Sequence, residues 1–242
     1  MQNKIDAPEP SGQSKDRVAV IFGASGGIGA GLTRHLQAGG QFDHVIPLSR
    51  KTQPAIDLLD EDSLEKAITY AAGKGELRLI IDATGFLHDE HQSPEKSLRH
   101  LNAEHLARSY ALNAIGPALI MKHALPLLPR TGKAVFATLS ARVGSIGDNR
   151  LGGWYAYRAA KAALNQLVKT ASVEVARRST EAICVALHPG TVATSLSAPF
   201  SAQGLEVHHP EQAAQHLIAV IDGLDGNANG GFYDWRGHPI PW

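Results

Sequence analysis

The chain of 242 residues holds a single cysteine, Cys184. One thiol closes no intrachain disulfide and supplies no cysteine-based zinc site, so a buried core has to hold the fold. Excess charge of either sign is missing too: 23 Lys+Arg balance 23 Asp+Glu. A dedicated nucleic-acid binder needs a surplus of phosphate-neutralising cations, and this chain has none. No run approaches the roughly 20 apolar residues of a membrane helix, and residues 1–17 hold no apolar stretch resembling a signal peptide. These absences predict a soluble cytoplasmic protein with neither nucleic acid nor membrane as partner.

What is present is apolar material: 43% of residues are hydrophobic and 19% charged. That is enough for one large core, and 25.7 kDa suits a single α/β domain. Residues 1–16, with Pro8, Pro10 and Gly12, have no periodicity and read as a flexible lead-in to a domain over 17–242. Val18–Phe22 is a continuous apolar run, as expected of a strand buried on both faces. Ile28, Leu32 and Leu36 follow at helical spacing until Gly39-Gly40. Further strands are expected at 45–48, 55–58, 77–83, 134–139, 182–187 and 231–233. Helices are expected at 62–72, 98–128, 154–177 and 211–221. A break is expected near Gly116-Pro117, where proline disfavours helix in the residue before it. Regular alternation implies right-handed crossovers and a doubly wound parallel sheet of about seven strands, a single-domain Rossmann fold.

Gly23-Ala24-Ser25-Gly26-Gly27-Ile28-Gly29 lies between the first strand and the first helix. Gly23, Gly27 and Gly29 permit a tight turn and a close backbone approach to a pyrophosphate, seated on the positive end of the helix. Ser25 and Ile28, inside the turn, count among the cofactor-binding residues. The plain alternative is an ordinary strand-to-helix turn, but its context is the one a dinucleotide demands. After the second strand, Leu48-Ser49-Arg50-Lys51 lacks the acid that NAD binders use for the ribose. Ser49 and Arg50 are candidates for a 2′-phosphate, so NADP is preferred over NAD.

Tyr157 and Lys161 stand at i and i+4 on the long helix and share a face. An ammonium beside a phenol stabilises phenolate and brings the tyrosine toward neutral-pH proton transfer. Alone, this spacing is often a surface accident. With the glycine turn upstream and Pro189-Gly190 after the next strand, it becomes specific.

Together these residues resemble the short-chain dehydrogenase/reductase family, over essentially residues 17–235. Gly23, Gly27 and Gly29 match its cofactor turn, and Asp82-Ala83-Thr84-Gly85 stands where the family commonly has Asn-Asn-Ala-Gly. Asn113, Tyr157 and Lys161 match its catalytic set, and His188-Pro189-Gly190-Thr191-Val192-Ala193-Thr194 matches its nicotinamide loop. Gly152–Arg158 and Lys161–Asn165 resemble the C-factor-like carbonyl reductase branch. The resemblance implies a hydride transfer between a nicotinamide and a carbonyl or alcohol, with Tyr157 as general acid/base. It implies that Lys161 tunes Tyr157 and holds the nicotinamide ribose, and that Asn113 bends its helix and positions a water. It further implies that Asp57 and Leu58 edge the adenine and Ala83, Thr84 and Gly85 the adenosine side. Pro189 and Gly190 belong to the loop that closes over the nicotinamide, Thr191 and Val192 would meet the nicotinamide end, and Thr194 would lie near the pyrophosphate.

The family's catalytic serine stands three residues before a glycine. Three before Gly144 is Ala141. Ser140 is ranked first as its substitute and Ser145 second; adjacent strand residues face opposite ways, so Ser140 serves only if the backbone shifts.

The twelve histidines form no clear metal motif, and no metal is expected. Cys184 reads as core packing. Trp154 and Tyr155 are pocket walls or core, and Phe86, Leu87, Leu196 and Phe200 are further wall candidates. Residues 194–209 read as a substrate lid. The C-terminal aromatics and prolines either cover a sheet edge or enter a subunit contact. The resemblance implies a homo-oligomer. An alternative function is a dinucleotide-binding signalling or sensor protein with vestigial catalysis. Sugar-nucleotide epimerase chemistry has too little chain after Pro189 for its usual substrate region.

Overall fold

The computed structural model describes residues 15–200 and 206–242. Most of the expected lead-in (1–14), and 201–205 of the expected lid, lie outside the described residues. In β1 (Arg17–Phe22), Val18, Val20 and Phe22 join one core cluster, and Ala19 and Ile21 join another. A strand apolar on both faces has to be covered on both. Helices α2 (Glu61–Ala72), α4 (Gly116–Ala124) and α5 (Tyr155–Arg178) cover the first face, through Leu64, Ile68, Ile120 and Leu164. Helices α1 (Gly27–Gly39) and α6 (Pro210–Gly223) cover the second, through Leu32, Leu36, Leu217 and Ile218. Phe22 and Phe136 are fully buried; full burial of such a side chain stabilises by about 1.5–3 kcal/mol.

The remaining strands are β2 (His44–Leu48), β3 (Glu76–Asp82), β4 (Ala134–Leu139), β5 (Ala182–His188), β6 (Thr191–Val192), β7 (Val207–His208) and β8 (Phe232–Asp234). The main sheet runs β2-β1-β3-β4-β5-β8 with every pair parallel. Strand order reverses at β1, whose neighbours are β2 and β3. The crevice beyond the carboxyl ends of strands at such a point is where doubly wound sheets bind ligands. The expected doubly wound single domain is present.

Three details differ from the sequence reading. The main sheet has six strands because Ala55–Leu58 forms none: only Ala55 bridges Ser49. Asp57 is spent on a local turn instead, its Oδ1 accepting from Leu59 N and its own N–H donating to Ser63 Oγ. A small parallel pair joins β6, in the expected nicotinamide loop, to β7, in the expected lid. The stretch at 98–128 divides into a 3₁₀ turn at Leu98–His100, α3 (Ala103–Tyr110), a π-helical turn at Ala111–Ile115, then α4. The irregularity therefore falls at Asn113, just before Pro117. In that wide turn Gly116 N–H reaches back to Ala111 O, and Pro117, at the start of α4, has no N–H to give the carbonyl four residues earlier.

After β8 the tail folds back on the sheet edge. Trp242 stacks on Phe232 with ring centroids 5.5 Å apart, and Ile240 N–H donates to Phe232 O. Of the two uses weighed for these residues, edge cover is the one observed.

Candidate active site

At the carboxyl end of β1 the chain turns through Gly23 with φ +77°. A Cβ there would stand 2.7 Å from Ala83 O, so only glycine fits. Gly26 N–H donates back to Gly23 O (2.9 Å), closing the turn. Helix α1 then starts with Gly26 at its N-cap, without a side-chain cap and with no acid in its first turn. Its positive end is left for an anion. A Cβ on Gly27 would meet Thr194 Cγ2 at 2.7 Å, so the turn packs directly beneath the loop after β6.

A cleft of about 650 Å³ opens here. Of the predicted cofactor residues, Gly23, Ser25, Ser49, Arg50, Asp57, Leu58, Ala83, Thr84 and Gly85 line it. Arg50 is exposed and has no ion pair among the described residues. Gly29 and Ile28 stand behind the lining, in the first turn of α1. Phe86, His88, Asp89 and Arg108 extend the wall. The Arg108 guanidinium lies 4.4 Å over the Phe86 ring and pairs with Asp89 at 2.5 Å, which holds the Asp89 carboxyl below its usual range. The collision a Cβ would make at Gly23, the uncapped helix end and the cleft volume all fit a dinucleotide.

Tyr157 and Lys161 on α5, and Pro189 to Thr194, are not among the residues lining this cleft; the α5 pair stands beyond Gly85. Lys161 is buried, and its Nζ donates to Leu139 O (2.8 Å) and lies 5.9 Å from the centre of the Tyr157 ring. It stands 3.8 Å from where a Cβ on Gly85 would be, which joins the pair to the cleft. Burial pushes the Lys161 ammonium down to about 8, partly offset by Asp82. Burial likewise raises the Tyr157 phenol. Asn113, fully buried, spends its side chain on the loop after β3: Oδ1 accepts from Phe86 N (2.9 Å) and Nδ2 donates to Phe86 O (2.8 Å). It thus fixes the cleft wall next to Lys161.

Both serine candidates are committed elsewhere. Ser140 is buried and its hydroxyl donates to Asn165 Oδ1 (2.6 Å), while Asn165 Nδ2 donates to Gly144 O (3.3 Å). This chain ties the 3₁₀ turn Arg142–Gly144 onto α5. Ser145 Oγ donates to Pro241 O and accepts from Asp148 N (3.0 Å). With its single hydrogen spent, neither hydroxyl is free to donate to a substrate carbonyl. The backbone shift that Ser140 would need is not present, because Ser140 N–H still pairs with Leu187 O (2.8 Å).

Trp154 enters α5 in the left-handed region, φ 52°. Its N–H donates to Glu95 O (2.5 Å), and Ala156 N–H donates to Glu95 Oε2 (3.1 Å), so Glu95 supplies the cap that α5 lacks. Sequence reasoning passed over Glu95, and no local pattern marks a cap sixty residues away in the chain. The indole lies edge-on to Tyr157 (6.3 Å) and to Phe200 (5.2 Å), and Phe200 lies edge-on to His88 (5.2 Å). Trp154, Phe200 and His88 thus form an aromatic wall beside the phenol. Beyond β5, Gly190 (φ +78°) leaves room for Trp235 and His208, and Thr191 and Val192 form β6. Cys184 is buried in β5, as packing requires.

A glycine turn at the switch point, with a phenol and an ammonium on α5 next to Gly85, suits a crevice that could take a nucleotide. Residues 41–219 match the family described as Enoyl-(Acyl carrier protein) reductase. The C-signal of Myxococcus xanthus is 35% identical over 137 residues, 57% of this chain and 78% of that protein. The 1-hydroxy-2-glutathionyl-2-methyl-3-butene dehydrogenase of Rhodococcus sp. (strain AD45) is 30% identical over 234 residues, 92% of this chain and 98% of that one. Among solved structures, a carbonyl reductase from Pseudomonas aeruginosa PAO1 is 26% identical with a TM-score of 0.75, over 93% of this chain and 100% of that chain. The chain belongs to the short-chain dehydrogenase/reductase family.

Proposed function

We propose that this protein is an NADP-preferring oxidoreductase that interconverts a carbonyl compound and its alcohol, with Tyr157 as general acid/base. The observation that carries the reading is the Tyr157–Lys161 pair on adjacent turns of α5, beside Gly85 at the end of the nucleotide cleft. The chemistry that a nicotinamide would supply when bound is hydride transfer to the carbonyl carbon, or from the alcohol in the reverse direction. Tyr157 gives its phenolic proton to the carbonyl oxygen, and Lys161, held by Leu139 O, stabilises the phenolate left behind. Asn113 fixes the wall at Phe86 and would position a water in the proton relay. Neither serine enters the mechanism, which leaves the carbonyl oxygen to Tyr157.

Arg50 and Ser49 support the preference for NADP, since directly after β2 they put a cation and a hydroxyl on the cleft where NAD binders carry an acid. The turn at Gly23–Gly29, with Thr194 beside it, would hold the pyrophosphate, Asp57 and Leu58 would edge the adenine, and Thr191 and Val192 would meet the nicotinamide end. The aromatic wall of Trp154, Phe200 and His88 suits an apolar substrate of small or medium size, and 194–209 serves as its lid. An apolar groove of about 350 Å³ between α4 and α5, lined by Met121, Leu125, Leu167 and Val175, is compatible with a homo-oligomer.

Fluorescence titration of the purified protein with NADPH and NADH tests the cofactor half. NADPH binds more tightly, and Arg50→Ala costs about tenfold of that preference, a charge-assisted contact being worth about 1.5–3 kcal/mol. Equal affinity for both nucleotides would remove Arg50 from its role. The second reading, a nucleotide-binding signalling protein, is favoured by the two committed serines and by the likeness to C-signal. NADPH binding with no turnover on a panel of aldehydes, ketones and quinones selects it; turnover on several of them selects the enzyme.

A further inference from the structure

We infer that Glu95 is a positioning residue of the substrate end: it holds Trp154 against Tyr157, and through that indole it favours carbonyl compounds that carry an aromatic ring. The inference rests on the Tyr157 reading above and adds to it the junction that precedes α5.

Gly152, Gly153 and Trp154 have φ of 62°, 65° and 52°, three left-handed residues in a row. Glycine adopts that region freely, whereas a tryptophan there is strained. Such strain persists only where the surroundings fix the backbone from several sides. Arg158 holds the carbonyl side: its Nε donates to Gly153 O (3.0 Å) and its Nη2 to Gly152 O (3.0 Å). Glu95 holds the amide side, accepting from Trp154 N–H at its carbonyl (2.5 Å) and from Ala156 N–H at Oε2 (3.1 Å). A Cβ on Gly153 would stand 3.4 Å from Glu95 O, so the two segments touch.

Glu95 is itself costly to place. It is buried, and its Oε1 makes no hydrogen bond among the described residues. Stability alone would be served better by a neutral cap and by glycine at 154. What the junction fixes is the place of the indole, edge-on to Tyr157 at 6.3 Å and to Phe200 at 5.2 Å. A substrate whose carbonyl oxygen meets the Tyr157 hydroxyl brings its substituent to this wall. A ring there gains ring–ring contact on top of burial, and an alkyl chain gains burial alone.

Protein carrying 5-fluorotryptophan gives one ¹⁹F line for each of its three tryptophans, and Trp154→Phe assigns the line of Trp154. In Glu95→Ala that line is expected to shift or broaden. The lines of Trp235 and Trp242, which stack on His216 and Phe232, are expected to stay in place. Glu95→Gln, whose amide oxygen still accepts from Ala156 N–H, is expected to restore the Trp154 line. An unmoved line in Glu95→Ala, or a Glu95→Gln line like that of Glu95→Ala, overturns the inference whatever the activity.

Turnover of benzaldehyde and propanal with NADPH reads the consequence. Wild type is expected to prefer benzaldehyde in kcat/KM, and Glu95→Ala to lose about tenfold of that preference, chiefly through KM. Trp154→Gly, which suits the left-handed backbone, is expected to lose it equally, and adding Glu95→Ala changes the ratio no further, because both act through one indole. A wild type without the preference, a ratio unmoved in Glu95→Ala, or a further drop in the double variant overturns the specificity role. A wild type that turns over no carbonyl overturns the proposed enzyme instead, and the ¹⁹F line then decides on the anchor alone. If Glu95→Ala does not fold, Glu95→Asp, which withdraws the carboxylate by one methylene, is read in the same two ways.

Discussion

The two ends of the cleft are built by different means. At the nucleotide end the geometry is backbone: Gly23 in a left-handed turn, Gly26 at an uncapped helix start, Gly27 under Thr194. At the substrate end it is side chains in fixed partnerships: Asn113 with Phe86, Ser140 with Asn165, Asp82 with Thr84 and Thr138, Lys161 with Leu139. A backbone site tolerates no Cβ but is indifferent to most side chains nearby. A side-chain site depends on which partner each group finds, and a single hydroxyl turned to another neighbour changes its chemistry. The first end is therefore set by what the backbone allows, and the second by which partner each side chain finds.

The comparison breaks most sharply at Tyr157. Tyr157→Phe removes the proton donor and is expected to lower kcat by about 10³-fold, within the range of general acid–base catalysis, with NADPH affinity nearly unchanged. Stopped-flow hydride transfer at saturating nucleotide checks it; a rate near wild type ends the assignment. Gly23→Ala tests the other end. A residue other than glycine at φ +77° is strained by about 1–3 kcal/mol, and its Cβ meets Ala83 O. Loss of several degrees in Tm is expected, along with NADPH affinity weakened on the order of tenfold, by calorimetry and titration. If affinity holds while Tm falls, the turn is structural and the pyrophosphate lies elsewhere.

The smallest effect sharpens the contrast. Ala141 follows Ser140 along an extended segment, so its methyl points the opposite way from the hydroxyl held by Asn165. Ala141→Ser is expected to supply the missing donor and raise kcat several-fold, since oxyanion contacts are worth up to 10²–10³ where fully preorganised. Ser140→Ala, measured beside it, is expected to cost stability rather than turnover, because a buried Asn165 loses its partner. Should Ser140→Ala abolish turnover with Tm intact, the serine role belongs to Ser140 after all.

Much of the nucleotide half was legible in the chain. Val18–Phe22 followed by glycines needs only local rules to become strand, turn and helix, and Tyr157 with Lys161 shares a face wherever that helix lies. The strand at 55–58 was misread because Asp57 and Ser63 offered the backbone a local alternative to pairing. The break expected near Gly116-Pro117 takes the form of a π-helical turn over Ala111–Ile115 that contains Asn113, since a missing N–H is felt at the carbonyl four residues earlier.

The sequence by itself determined the alternation, the doubly wound sheet, the glycine turn and the Tyr157–Lys161 face, because each rests on periodicity or on what one residue type allows its own backbone. Only the tertiary structure decided that Ser140 serves Asn165, that Glu95 caps α5, that Trp242 covers β8, and that Thr138 serves Asp82. Those partners lie far apart along the chain. Their pairing follows from strand register and helix docking, which no local pattern encodes.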